Sequence, residues 1–182
     1  MELLGVAGSL RRGSYNRKLL RAAGALLPSG VRFTEYDRLK AIPAFDEDDE
    51  ASLPPAVSHW RAAIEQADGI LFATPEYNSS VPGQLKNAVD WASRPVATAV
   101  LRNKPVAVIG AGTGMFGAVW SQAELRKALA SAGARVLDRE LPLPAVHEAF
   151  DENGSLKDHG ITLEVEGVIT ELVGSVRQRL AA

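Results

Sequence analysis

The chain has 182 residues, of which 46% are hydrophobic and 23% charged, with a formal net charge of −2. This is the balance of a globular protein long enough for one core, so a single domain over residues 1–182 is expected, and the near-neutral charge argues against a nucleic-acid binder, which needs a basic face to displace counterions. There is no cysteine, which excludes disulfides, thiol catalysis and iron–sulfur clusters; no apolar run approaches the ~20 residues of a membrane helix, and Met1-Glu2-Leu3-Leu4 lacks the basic and apolar regions of a signal peptide, so the expected location is the cytoplasm.

In chain order, Leu3-Leu4-Gly5-Val6-Ala7 reads as a buried strand. Leu19, Leu20, Ala23, Leu26 and Leu27 follow at helical spacing until Pro28-Ser29-Gly30. Val31-Arg32-Phe33-Thr34-Glu35-Tyr36 alternates, as a more exposed strand does. Val57, Trp60, Ile64 and Ala67 mark a second helix, and Ile70-Leu71-Phe72-Ala73 a third strand. Leu85, Ala88, Val89 and Ala92 mark a third helix, closed by Arg94-Pro95. Val106-Ala107-Val108-Ile109 is a fourth strand, before a helix carrying Gln122, Leu125, Leu129 and Ala132 on one face. Ala134-Arg135-Val136-Leu137 is a short fifth strand, and Val165, Val168, Leu172 and Val176 line the last helix.

Alternating strands and helices imply an α/β fold: a three-layer sandwich around a five-stranded parallel sheet, flavodoxin-like, in the order 2-1-3-4-5. Ligands in that architecture bind at the carboxyl ends of the strands, beside the switch point between strands one and three. The stretches 38–55 and 139–160 are irregular, each a candidate surface excursion at the rim of the site or a subunit contact.

Two unusual segments fall at that switch point. Gly8-Ser9-Leu10-Arg11-Arg12-Gly13-Ser14-Tyr15-Asn16 has the glycine spacing of a P-loop but lacks its Lys-Ser/Thr pair, so a nucleoside triphosphate is disfavoured. Ser9, Ser14 and Asn16 as polar donors, Arg11 or Arg12 as a cation and a helix start near Ser14 suit a monophosphate. Thr74-Pro75-Glu76-Tyr77-Asn78, followed by Val81-Pro82-Gly83-Gln84-Leu85-Lys86-Asn87, puts an aromatic ring, an amide and proline-stiffened backbone where a flat heteroaromatic ring would rest. Together they propose a phosphorylated, ring-containing cofactor, with flavin mononucleotide (FMN) the leading candidate. A third segment, Gly112-x-Gly114-x-x-Gly117 with Asp138 downstream, matches a dinucleotide fingerprint in outline. In the register that starts at the end of the strand, Met115 replaces the third glycine, so a loop passing close to a flat ring is favoured.

Taken jointly, Gly8-Ser9-x-Arg11-x-x-Ser14-x-Asn16 and Pro75-Glu76-Tyr77-Asn78-x-Ser80-Val81-Pro82-Gly83-x-Leu85-Lys86-Asn87-Ala88-x-Asp90-Trp91 closely resemble the NADPH-dependent FMN reductases, a family that includes quinone, chromate and azo-dye reductases. The resemblance runs from Leu3 to about Gly133. It implies that Ser9, Arg11, Ser14 and Asn16, in the segment that also holds Tyr15, take the FMN phosphate. It implies that Pro75, Glu76, Tyr77 and Asn78 line the isoalloxazine, largely through backbone groups, and that Gly112, Thr113 and Gly114 pass the other side of the cofactor. NAD(P)H would be the hydride donor in a ping-pong cycle, with a quinone, azo compound, flavin or metal oxyanion as acceptor. No side chain need act as acid or base, and no metal is implied. Members are usually homodimers or homotetramers, and Trp91 and Trp120 are candidates for an interface or for core packing. A non-enzymatic flavodoxin-like electron carrier and a dinucleotide module built on 112–117 are the alternative readings.

The acidic run Asp46-Glu47-Asp48-Asp49-Glu50 reads as a solvated loop whose place after the second strand leaves open a part in acceptor access. His59, His147 and His159 lack metal-ligand spacing and read as surface or packing residues.

Overall fold

The computed structural model describes residues 1–181. Its elements are β1 (Glu2–Ala7), α1 (Tyr15–Ala25), β2 (Arg32–Tyr36), α2 (Pro55–Gln66), β3 (Gly69–Thr74), α3 (Gly83–Ala92), β4 (Pro105–Ala111), α4 (Val119–Ser131), β5 (Arg135–Val136), β6 (Pro142–Leu143) and α5 (His159–Ala181). The sheet runs β2-β1-β3-β4-β5 with every pairing parallel. This is the flavodoxin-like order expected from the alternation of elements.

Every residue of β3 and β4 is buried, because a parallel sheet covered by helices on both faces has no side for water. Leu4, Val6, Ile70, Phe72, Val106 and Val108 pack on α2, α3 and α4 through Trp60, Ile64, Leu85, Val89, Leu125 and Leu129. The alternate residues, such as Leu3, Leu71, Ala107 and Ile109, pack on α1 and α5 through Leu19, Leu20, Val165, Val168, Leu172 and Val176. Successive residues of each strand, pointing to opposite faces, therefore build two cores from one sheet. None of the described helices is long and apolar enough to cross a membrane.

Two departures from the sequence reading matter for the site. The fifth strand is only Arg135–Val136, beside Pro105 and Val106 of β4. The chain then swings out and returns as β6, which pairs with Gly110 and Ala111 at the other end of β4. A two-residue strand containing proline shows no periodicity, and proline is tolerated there because the position is an edge. Gly117 makes β6 possible. Its φ is +56°, and a Cβ there would lie 2.6 Å from both the Leu143 nitrogen and the Pro142 carbonyl carbon.

The second departure concerns α3. Its Gln84, Asn87 and Trp91 side chains hold the irregular stretch after β2. Gln84 donates to the Leu39 and Ile42 carbonyls at 2.8 Å. Asn87 donates to Pro43 O at 2.8 Å and accepts from Phe45 N–H at 2.7 Å. Trp91 donates to Pro43 O at 3.0 Å and meets Phe45 edge-on, with centroids 4.9 Å apart. Spacings of three and four put these residues on one helix face. Trp91 is fully buried, so it is a core residue and not an interface candidate. The acidic run rides outward on the same stretch as a 3₁₀ turn, Glu47–Ala51, capped by Asp46.

At the opposite end of the sheet, Lys104 is buried and donates to the Glu65 and Ala67 carbonyls, closing the C-terminus of α2. Burial, reinforced by the nearby Arg179 charge and only partly opposed by Asp68 and Glu65, pushes its ammonium down to about 8. His59 Nδ1 lies 3.4 Å from the Tyr36 hydroxyl, His147 sits beside Glu148, and His159 opens α5.

Two predictions follow from these contacts. Gly117→Ala collides with backbone that cannot swing away, so it costs about 2 kcal/mol and lowers the melting temperature by roughly 5 °C, measurable by circular dichroism. For Lys104, the folded group releases its proton near pH 8 while the unfolded lysine holds its proton to about 10.4. The unfolded state thus binds more protons between those values, and this group makes stability rise with pH across that window. Urea midpoints at pH 7.5 and 9.5 should show that contribution in the unmodified protein and lose it in Lys104→Met.

Candidate functional site

The loops after β1, β3 and β4 converge at the carboxyl ends of their strands around a cleft of about 310 Å³. Ser9, Arg11, Ser14, Tyr15, Asn16, Pro75, Glu76, Tyr77, Gly112, Thr113 and Gly114 all line it. Asn78 does not.

The β1 loop is shaped as an anion site. Ser14 caps α1, its Oγ accepting from Arg17 N–H at 3.2 Å. That leaves Tyr15 and Asn16 N–H without an intrahelical acceptor, at the positive end of the helix dipole. Ser9 and Ser14 are buried within the loop. Arg11 donates to Gly13 O at 2.7 Å and stands over the Tyr15 ring, 5.4 Å from its centroid. Asn16 departs from the expected role of phosphate donor. It is buried, it donates to Ala111 O at 2.9 Å, and its Oδ1 accepts from Ala111 N–H at 2.9 Å. Its amide spans the gap between two loops, and its backbone N–H is what remains for a ligand.

The β3 loop turns back on itself at once. Tyr77 and Ser80 exchange backbone hydrogen bonds of 3.1 Å across a two-residue turn. Asn78 and Ser79 hold φ values of 53° and 58°, the pair of left-handed residues of a type I′ turn. Asn78 is therefore the turn former at an exposed tip of this loop, outside the residues that line the cleft. Tyr77 stays at the mouth, its hydroxyl 3.4 Å from Ser9 Oγ.

Glu76 lines the cleft, but its carboxylate is spoken for. It accepts from Trp120 N–H at 3.0 Å and Ser121 N–H at 3.2 Å. It thus caps α4, whose own N-cap, Ala118, has φ 65° and offers no side-chain acceptor. A negative charge is stabilised at a helix start. The Thr74 and Ser121 hydroxyls, 2.9 Å apart, both reach Pro75 O at 2.9 Å. The ring loop is thereby braced on α4.

The β4 loop supplies Gly112, Thr113 and Gly114 together with Phe116 and Gly117. Phe116 escaped the sequence reading. The available signal was an aromatic residue inside a glycine loop, at a position that serves neither the strand nor the helix pattern. The dinucleotide alternative loses its support here. Gly117 is glycine because β6 packs on it, and Asp138 lies at the surface paired with Arg126. None of residues 46–50 lines the cleft. Trp120, unlike Trp91, is exposed on the rim.

Known proteins bear directly on this arrangement. A model of the family described as NADPH-dependent FMN reductase matches residues 1–148. A NAD(P)H-dependent FMN reductase of Pseudomonas aeruginosa is 43% identical over 160 residues, covering 87% of this chain and 85% of its own. A 2-hydroxy-1,4-benzoquinone reductase of a Burkholderia species is 34% identical, covering 96% of this chain and 95% of its own. The structure of a flavoenzyme NAD(P)H:(acceptor) oxidoreductase from Paracoccus denitrificans superposes with a TM-score of 0.87 at 32% identity, covering 97% of each chain. With its cleft built from the segments that carry the motifs, and with relatives of this similarity along nearly its whole length, the chain belongs to the NADPH-dependent FMN reductase family.

Proposed function

We propose that this protein uses FMN and NAD(P)H to reduce a quinone-class acceptor, donor and acceptor occupying one opening in turn. The supporting observation is the cleft itself, with an anion-ready helix start at one end and an open aromatic rim at the other. FMN, when bound, supplies the chemistry of accepting hydride and passing electrons on, which no side chain of this cleft offers.

The residues present fit that cofactor. At the phosphate end, Tyr15 and Asn16 N–H, the Ser9 and Ser14 hydroxyls and the Arg11 guanidinium are the groups that would hold a dianion. For the ring, the β3 loop is held from behind by Thr74, Glu76 and Ser121, and Gly112 and Gly114 by backbone bonds to Leu143, Val146 and Ala145, so the polar groups of both loops are set before a ligand arrives. In the overall exchange NAD(P)H supplies two electrons and one proton, solvent supplies a second proton, and a quinone leaves as the hydroquinone. None of the cleft-lining side chains is required to carry a proton.

We also propose that two copies pair through the groove between α3 and α4. This groove, about 860 Å³, is lined by Lys86, Asp90, Arg94, Arg102, Glu124 and Lys127. Mixed charges on one patch can satisfy a two-fold contact, in which each patch meets its own copy.

Arg11→Ala should raise the FMN dissociation constant about tenfold or more, read by calorimetry, without changing the melting temperature of the cofactor-free protein. Asn16→Ala should lower that melting temperature as well, because two buried hydrogen bonds are lost. An Arg11 variant with undiminished FMN affinity removes the phosphate assignment. Light scattering should give twice the 19.4 kDa chain mass; a monomer removes the pairing.

A further inference from the structure

Among the described residues, the exposed aromatic side chains are Tyr77, Phe116 and Trp120, at 49%, 54% and 45%. Tyr77 and Phe116 stand on the loops that make the cleft and line it, and Trp120 is the second residue of α4, beside Phe116. Large apolar rings gathered at one rim of a soluble chain mark a binding surface. Phe116 and Trp120 pair with centroids 4.8 Å apart and planes tilted by 58°. Neither is free to wander with its backbone. Trp120 N–H is held by Glu76, Phe116 O accepts from Val119 N–H at 3.1 Å, and the intervening Gly117 and Ala118 are locked in left-handed conformations beside β6. The shelf is therefore formed in advance, which lowers the ordering cost of a ligand that stacks on it.

We infer that Phe116 and Trp120 form an acceptor-selecting shelf that favours uncharged, flat aromatic acceptors. The inference rests on the oxidoreductase reading above and names the residues that choose its acceptor. A flat ring gains edge-to-face or offset stacking on such a pair. An oxyanion gains nothing there, because Met115, Phe116 and Trp120 bring no cation and the nearby Glu76 carboxylate is committed to α4. The arginine of the cleft, Arg11, belongs to the anion-shaped β1 loop.

Trp120 also makes the shelf observable, because the other two tryptophans, Trp60 and Trp91, are fully buried. FMN-loaded protein titrated with 1-naphthol, a flat aromatic it cannot reduce, should show saturable quenching of tryptophan emission. Trp120→Phe should abolish that signal, and Phe116→Ala should weaken the apparent affinity about threefold to tenfold. In steady state, Phe116→Ala should lower the ratio of kcat/KM for 1,4-naphthoquinone over that for ferricyanide by a similar factor, mainly through the naphthoquinone KM. Phe116→Tyr should restore the ratio. Unsaturable quenching, equal losses for both acceptors, or a shift from dimer to monomer with the ratio unchanged would each overturn the shelf. Unmodified protein that takes up FMN yet fails to oxidise NAD(P)H whether 1,4-naphthoquinone or ferricyanide is supplied would overturn the parent reading, an outcome distinct from an active enzyme with indifferent shelf variants.

Discussion

A single buried amide holds the cleft together. Asn16 sits on the second residue of α1, and its side chain completes both backbone positions of Ala111, the last residue of β4 and 95 positions away. Burying an amide without partners is costly, so the pair of bonds acts as a geometric lock as well as an attraction. It sets the start of α1 against the end of β4. Everything that gives the site its shape, from the free N–H groups of the first turn to the path of the glycine loop, is referenced to that one distance.

The other loops follow the same division of labour. Glu76, Thr74, Ser121 and Gln122 spend their polar groups on nearby backbone of the loops and of α4. Gln122 accepts from Leu141 N–H at 3.1 Å and thereby ties α4 to the segment that leads into β6. Side chains brace the loops from behind, and main-chain groups are left to face the cavity. Such a site discriminates by shape and by the direction of its N–H groups, which is what a cofactor carrying its own reactivity requires.

The sheet order and the position of the site were legible in the sequence because Val106 to Ile109 and Ile70 to Ala73 are unbroken apolar runs, and each ends in residues unsuited to a helix interior. The helix start near Ser14 was legible from the helical spacing of Leu19, Leu20 and Ala23 that follows it. What escaped was determined at long range. Asn16 looks like a ligand donor until Ala111 is beside it. Glu76 lines the cleft as expected, but the task of its carboxylate shows only once the bare start of α4 is seen. The Gln84, Asn87 and Trp91 face of α3 serves the chain 39–45, a partnership that no local pattern encodes. Asn78 was read for its amide, when its tolerance of left-handed backbone was what the turn needed. Pro142 and Leu143 are too few to announce a strand.

That fragmentary strand has an outcome for how copies of the protein behave in crowded solution. A continuous fifth strand would present a row of unpaired amides along the flank of the sheet, an invitation to cross-seeding by any extended peptide. Here the flank is broken into two short pieces by an outward loop at 138–140, held by Arg126 through Asp138 and Glu140, and the second piece begins with a proline that has no N–H to give. The interruption that seats β6 on Gly117 also shortens the exposed edge on this side, which blunts pairing with a strand of another chain.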